Sequence, residues 1–356
     1  MTTLLELREK VKLFYSRNEV FILPIIKFLL AFLVLNTVNG TLGYMPKLDN
    51  IAIVLIVSLM CSFLPTGCML LLAALFSLLH MYAMSMEVAL VGLCVYLLMF
   101  LVFFRFSPKE SLALLLTTLL CTMKLPHVMP VAMGLIGTPV SAVAVGCGVI
   151  VHYLFQTVTN SALTISTMDA SDVTGKIRLI LDGLLDNKAM LVMVTAFAIT
   201  IIAVYLLRRM SIEYSWSIAM VSGAMINLVI LLVGDLLYDT NMSVLSAIFG
   251  SVVAILVGKV IEFFRFCVDY SRTEKVQFED DEYYYYVKAI PKMTVAAPTK
   301  TVKRINAQRK PVTTEVRRVN MGAVRAQNNL KSNARNMTVS GTVTEADNAD
   351  DYEELF

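Results

Sequence analysis

The residues best placed to do chemistry in this chain sit in two interruptions of an otherwise apolar stretch. The first reads Met123-Lys124-Leu125-Pro126-His127-Val128 and the second Gly134-Leu135-Ile136-Gly137-Thr138-Pro139. Pro126 has no N–H to give and biases Leu125 away from the helical region, so one helix should stop before it and another begin just after. The amino end of that second helix would hold unpaired N–H groups and a partial positive charge beside the Lys124 ammonium and the His127 ring. With the Thr138 hydroxyl they form a candidate binding site for an anionic or carboxylate-bearing small solute. Two plainer roles compete: Lys124 can snorkel its ammonium to an interface, and His127 can simply cap the helix.

Nothing in the chain points to catalysis. It has no Walker loop, no zinc-type Cys/His spacing and no convergent set of His, Asp and Glu, so neither an enzyme nor a cofactor is expected. The six cysteines, Cys61, Cys68, Cys94, Cys121, Cys147 and Cys267, form no C-x-x-C pair and read as small apolar residues. His80 and His152, alone on apolar segments, read as interhelical hydrogen bonders. Glu87 and Asp235 fall near segment ends, where water reaches them, and Asn36, Asn160 and Asn227 are uncharged. Gly134, Gly137, Gly146 and Gly148, with Ser141 and Ala144, should let helices approach closely.

The composition dictates the scaffold that must position these residues. At 57% hydrophobic, 16% charged and mean hydropathy +0.71, the chain lies far outside the range of soluble domains. Backbone groups in hydrocarbon must be satisfied internally, so the apolar segments have to be helices. Spans are expected at 21–39, 51–65, 67–84, 87–104, 139–158, 189–207, 215–236 and 242–264. The stretch 111–136 is broken by Pro126 and Pro130 into pieces too short for a core of about 30 Å. With the N-terminus in the cytoplasm, the turns carrying Arg105 and Lys109, then Arg208 and Arg209, then Arg265 and Arg272 are all cytoplasmic only if 111–136 enters and leaves on one side. The expected fold is therefore an all-α polytopic membrane protein of about eight transmembrane helices plus a re-entrant half-helix pair, with both termini in the cytoplasm. Matching span ends, Phe103-Phe104-Arg105-Phe106 and Phe263-Phe264-Arg265-Phe266, raise a 4+4 parallel repeat.

Four regions follow. Residues 1–20 carry Leu4, Leu7, Val11, Phe14 and Tyr15 at helical spacing among Arg8, Lys10, Lys12 and Arg17, an amphipathic helix on the cytoplasmic face rather than a cleaved signal. Residues 21–264 are the transmembrane domain. Its polar loop holds Ile177, Ile180, Leu181, Leu184 and Leu185 opposite Lys176, Arg178 and Asp186, a second amphipathic helix expected at the outer surface. Residues 265–293 read as a membrane-proximal β-hairpin: two aromatic and β-branched runs flank the acidic turn Glu279-Asp280-Asp281-Glu282. A lone hairpin is marginal in water, so this segment should pair with another copy or a partner subunit. Residues 294–356, basic and then acidic, have the composition of a disordered tail. The lipid bilayer is the one certain partner, and without a folded module no nucleic acid is expected.

Arg105-Phe106-Ser107-Pro108-Lys109, the run Leu181-Asp182-Gly183-Leu184-Leu185-Asp186-Asn187-Lys188 and the acidic-tyrosine run ending Lys288-Ala289-Ile290-Pro291-Lys292 carry a resemblance. Over most of residues 40–293 the chain resembles a family of multi-pass membrane proteins of Gram-positive anaerobes, loosely labelled permeases. The resemblance assigns no residue a role; the repeated spans, the re-entrant pair and the Gly/Pro-interrupted helices lead to the expectation of a transporter or permease-type protein of the cell membrane. The competing expectation is a scaffold for envelope assembly whose tail recruits cytoplasmic partners.

Overall fold

A computed structural model of the protein describes residues 2–169, 172–240, 243–265 and 274–289. Among them the chain forms α1 (Thr2–Arg17), α2 (Glu19–Thr41), α3 (Ile51–Phe63), α4 (Thr66–Met84), α5 (Met86–Phe106), α6 (Ser111–Thr122), α7 (Val128–Ile136), α8 (Ser141–Thr167), α9 (Val173–Leu185), α10 (Lys188–Arg208), α11 (Ser215–Tyr238) and α12 (Val244–Arg265). A hairpin of β1 (Glu274–Glu279) and β2 (Tyr284–Ala289) follows. Seven helices, α2, α4, α5, α8, α10, α11 and α12, are long and apolar enough to cross a bilayer. The molecule is a polytopic, all-α integral membrane protein. The tail expected over 294–356 lies outside the described residues.

The expected span 51–65 is α3, whose 13 residues rise only about 20 Å. It nevertheless runs nearly the depth of α2. At its far end Ser62 Oγ donates to Pro24 O (2.8 Å) and Lys27 Nζ to Leu64 O (3.1 Å). At its entry Asn39 Nδ2 donates to Leu48 O (2.9 Å). α3 therefore starts beside the end of α2 and finishes beside its beginning. The order α2, α3, α4, α5 runs up, down, up, down, and α8, α10, α11, α12 repeats it. The packing does not repeat, because α10 lies along α11 while α3 barely touches α4.

α6 and α7 are the re-entrant pair. Their 12 and 9 residues rise about 18 and 14 Å, so neither crosses. Before α6, Glu110 accepts from Ser141 Oγ at the start of α8 (2.7 Å). After α7, the Arg208 guanidinium at the end of α10 donates to Leu135 O and to Gly137 O (2.6 Å for the second). Entry and exit thus share one end of the bundle. At the other end of α6, Thr122 Oγ1 lies 3.4 Å from His152 Nδ1 on α8, about 16 Å along α8 from Ser141. The tip is near mid-depth. α6 lies this close to α8 because Gly148 has no side chain: a Cβ there would fall 2.6 Å from Thr117 Cβ and 2.8 Å from Leu114 O.

α9 is the expected amphipathic helix, but its buried face is rotated. Ile180 and Leu184 are buried as the periodicity predicts, Lys176 is buried with them, and Leu181 and Leu185 are exposed. The reason is electrostatic. Lys176 Nζ reaches Glu87 on α5 at 3.7 Å, and Ser85 Oγ donates to the same carboxylate. A pair formed largely out of water turns the helix toward its partner. Glu87 is therefore an anchor for α9 and not a solvated end group. α1 keeps Leu4, Leu7, Val11 and Phe14 exposed, as a helix lying on a lipid surface would. In the hairpin Phe278 pairs with Tyr285, ring centroids 5.1 Å apart, and Val276 with Val287.

Arg105, Lys109, Arg208, Arg209 and Arg265 gather at the end that holds the base of the re-entrant pair, and Asp49, Asp172, Asp186 and Asp239 at the other. By the positive-inside rule the first end is the one expected to face the cytoplasm. In a cysteine-free background, single cysteines replacing Lys109 or Arg209 should react with an impermeant maleimide only from the cytoplasmic side, and one replacing Asp186 only from outside. Outside labelling at Lys109 or Arg209 would overturn the orientation.

Candidate functional site

The turn between the half-helices begins at the end of α6. Lys124 N–H donates to Cys121 O (3.1 Å) and Leu125 N–H to Leu120 O (2.9 Å), the paired bonds of a Schellman C-cap. That motif requires a left-handed residue, and Lys124 supplies it with φ 61°, where glycine would be unstrained. The Lys124 side chain is exposed. His127 is buried, at 6% exposure. Its Nδ1 lies 3.1 Å from Asn227 Nδ2 on α11, and its ring stands edge-on to Phe197 of α10. Gly250 on α12 makes room, since a Cβ there would collide with the imidazole.

With Asn227 Nδ2 donating, His127 Nδ1 accepts and its proton sits on Nε2. Asn227 Oδ1 is then buried with no partner. Turning the amide over would let Oδ1 accept from Nδ1–H and leave the amide nitrogen unspent instead. In either arrangement one polar atom of Asn227 is unspent near mid-depth. Val128, Met129, Pro130 and Val131 are all buried, so the amino end of α7 is packed in protein rather than open to water. Thr138 lies at the other end of α7, exposed, with its N–H bonded to Ser141 Oγ (3.0 Å). The structure brings Lys124 and His127 to one tip and leaves Thr138 about 14 Å away along the helix.

Above the tip, at the acidic end, a cleft of about 410 Å³ opens between α8, α9 and α10, lined by Tyr153, Gln156, Thr157, Asn160, Ser161, Gly183, Asn187, Ala189 and Thr240. Several of its groups are committed: Asn187 Oδ1 caps α10 by accepting Met190 N–H (3.0 Å), and Thr240 donates to Asp235 (2.6 Å). Gln156 and Asn160 are exposed to the cleft. Among the described residues no charged side chain lines it, so it offers neutral donors and acceptors. The sequence does contain the signal: Gln156 with Asn160 and Thr157 with Ser161, each i and i+4, put one polar stripe on an apolar helix.

His80 is a closed structural contact. His80 Nε2 meets Asn39 Oδ1 at 2.8 Å while Nδ1 accepts from Met45 N–H (3.3 Å), tying the α2–α3 loop to α4. Among the described residues no group of three or more His, Cys, Asp or Glu is placed to hold a metal ion. No family model, curated protein or solved structure matches the chain.

Asn227→Ala should destabilise the protein by about 1–3 kcal/mol, because His127 loses its only polar partner in a buried site. Gly250→Ala should cost a similar ~1–3 kcal/mol by forcing the ring aside. Gly40→Ala, with nothing within 4 Å of the new methyl, should be neutral or slightly stabilising. Thermal unfolding of the three variants in detergent checks the ranking.

Proposed function

We propose that this protein is a transporter of the permease type for a small polar solute, with the re-entrant pair as the element around which the solute path is built. The observation that carries this reading is the pair itself: two half-helices that enter and leave at one end and meet near mid-depth against a buried His127–Asn227 contact. Broken helices at depth are tolerated where protein buries them or a cavity needs them, and transporters place their binding sites at such breaks. The polar cleft on the opposite side supplies an approach from water. Lys124, the ammonium at the tip, supports an anionic group on the solute, and the neutral cleft supports hydroxyl or amide groups beside it.

The test is solute-induced thermal stabilisation across a panel of small anions and their neutral analogues, followed by uptake into proteoliposomes for any that stabilise. Wild type should be stabilised by one class of anion. Lys124→Met should lose that response, and Lys124→Arg should keep part of it, because the charge survives in a different shape. Lys124→Gly should lose the response while gaining about 1 kcal/mol of stability from relief of the left-handed strain. Equal responses from all four proteins would remove Lys124 from the site, and no response to any solute would remove the transport reading.

The hairpin favours a second reading, a scaffold for envelope assembly. Val276, Phe278, Tyr285 and Val287 share one face and all are exposed, a surface a second copy or partner subunit could cover. Truncation after Arg265 separates the two: solute stabilisation should survive it if the protein transports, whereas a scaffold should lose co-purifying cytoplasmic partners and keep no solute response.

A further inference from the structure

At the base of the re-entrant pair a carboxylate is held with half of its hydrogen-bonding capacity unused. Glu110 Oε1 accepts from Ser141 Oγ (2.7 Å), and Ser141 Oγ accepts in turn from Thr138 N–H (3.0 Å). Glu110 Oε2 is buried with no partner, and so is the hydroxyl of Ser107, a residue only 5% exposed. The two belong to one turn, closed by Glu110 N–H donating to Ser107 O (3.1 Å). No lysine, arginine or histidine nitrogen lies within 4.0 Å of this carboxylate among the described residues. The nearby cation, Arg208, donates through its two terminal nitrogens to the carbonyls of Leu135 and Gly137, and its buried Nε has no partner. Lys109, the next residue in the chain, is exposed. A buried carboxylate oxygen and a buried hydroxyl left without partners need a cation or a polar ligand to offset their desolvation.

We propose that Glu110, Ser107 and Ser141 bind a monovalent metal cation of the sodium type at this base. The oxygen set decides the class. One carboxylate and two hydroxyls supply a single negative charge and hard donors, whereas calcium sites draw on several carboxylates among six to eight oxygens. The three oxygens come from the turn before α6 and the first residue of α8, which the link of residues 137–140 joins to α7. As the ion that drives transport, this cation rests on the transporter reading; as a binding site it does not, and the test addresses binding alone.

The full-length protein in detergent is titrated with sodium chloride against choline chloride at constant ionic strength. Thermal midpoint and tryptophan emission are the two readouts. Trp216 is the sole tryptophan and lies 5.9 Å from the Arg208 guanidinium that caps α7, so it reports on the base of the pair. Sodium should raise the midpoint and shift the emission saturably. Glu110→Gln should abolish both effects. Ser107→Ala, which removes a hydroxyl with no partner and so leaves the fold intact, should weaken apparent affinity at least about tenfold. Lys109→Gln, an exposed neighbour, should titrate like wild type. Sodium and choline giving the same curves in wild type would overturn the site and leave only a buried water there. A sodium response unchanged in both Glu110→Gln and Ser107→Ala would overturn it too. Loss of solute uptake with sodium binding intact would instead count against the transporter reading alone.

Discussion

Backbone polar groups that cannot meet water must meet each other, and at residues 122–130 this constraint shapes the rest of the structure. The chain stops being helical near mid-depth, yet few of its main-chain groups go unpaired there. The Schellman bonds of Lys124 and Leu125 close the end of α6, and Met129 N–H returns to Pro126 O at 3.2 Å. Pro126 and Pro130 have no N–H to satisfy, which removes two donors from the turn and the first turn of α7, where a helix has none to pair them. At the opposite end of α7 the Arg208 guanidinium covers carbonyls that the helix leaves open. The cost falls on Lys124, whose left-handed backbone would suit glycine better.

Once the break is satisfied, the half-helices pack mainly in different cores. α6 contributes Ala113, Leu114, Leu115 and Cys121 to the large cluster built from α2 to α5, α8 and the upper part of α10. α7 contributes Val128, Val131 and Leu135 to a smaller one with Val204, Trp216, Met220 and Ala254. Met129 of α7 also belongs to the large cluster, and α10 and α11 place residues in both, Phe197 with Val204 and Leu231 with Met220, so the two clusters are bridged along three helices.

Much of this was legible in the sequence because hydrocarbon leaves few options. Span positions followed from hydropathy, and the same-side entry of 111–136 followed from Arg105, Lys109, Arg208 and Arg209 needing one face. The hairpin followed from alternation around an acidic turn. What could not be read was rotation and partnership. The apolar periodicity of α9 placed Lys176 on the outer face, because a count of apolar residues is blind to a carboxylate 89 positions away in sequence; Glu87 reverses the choice. Thr138 looked like part of the tip because the second polar break follows the first closely, but one helix of 9 residues carries it back to the base. Glu110 carries no signal in the sequence, and only its contact with Ser141 distinguishes it.

A division between spent and unspent polar groups separates architecture from the groups that face a ligand. His80, Asn39 and Met45 N–H use one another, His152 meets Thr122, and Lys176 meets Glu87; removing any of these costs stability, but none offers a bond to a newcomer. Apart from the buried Nε atoms of Arg8 and Arg208, unspent capacity falls at three levels among the described residues. The polar side chains of the cleft lie toward one end, one amide atom of Asn227 lies at the tip, and Glu110 Oε2 with the Ser107 hydroxyl lies at the base. Buried polar atoms without partners are few in native proteins because each costs free energy. Here they recur where the re-entrant pair interrupts regular helix. Replacing Asn227 alone would strand His127, whereas replacing both with apolar residues of similar size would remove the buried polar atoms altogether.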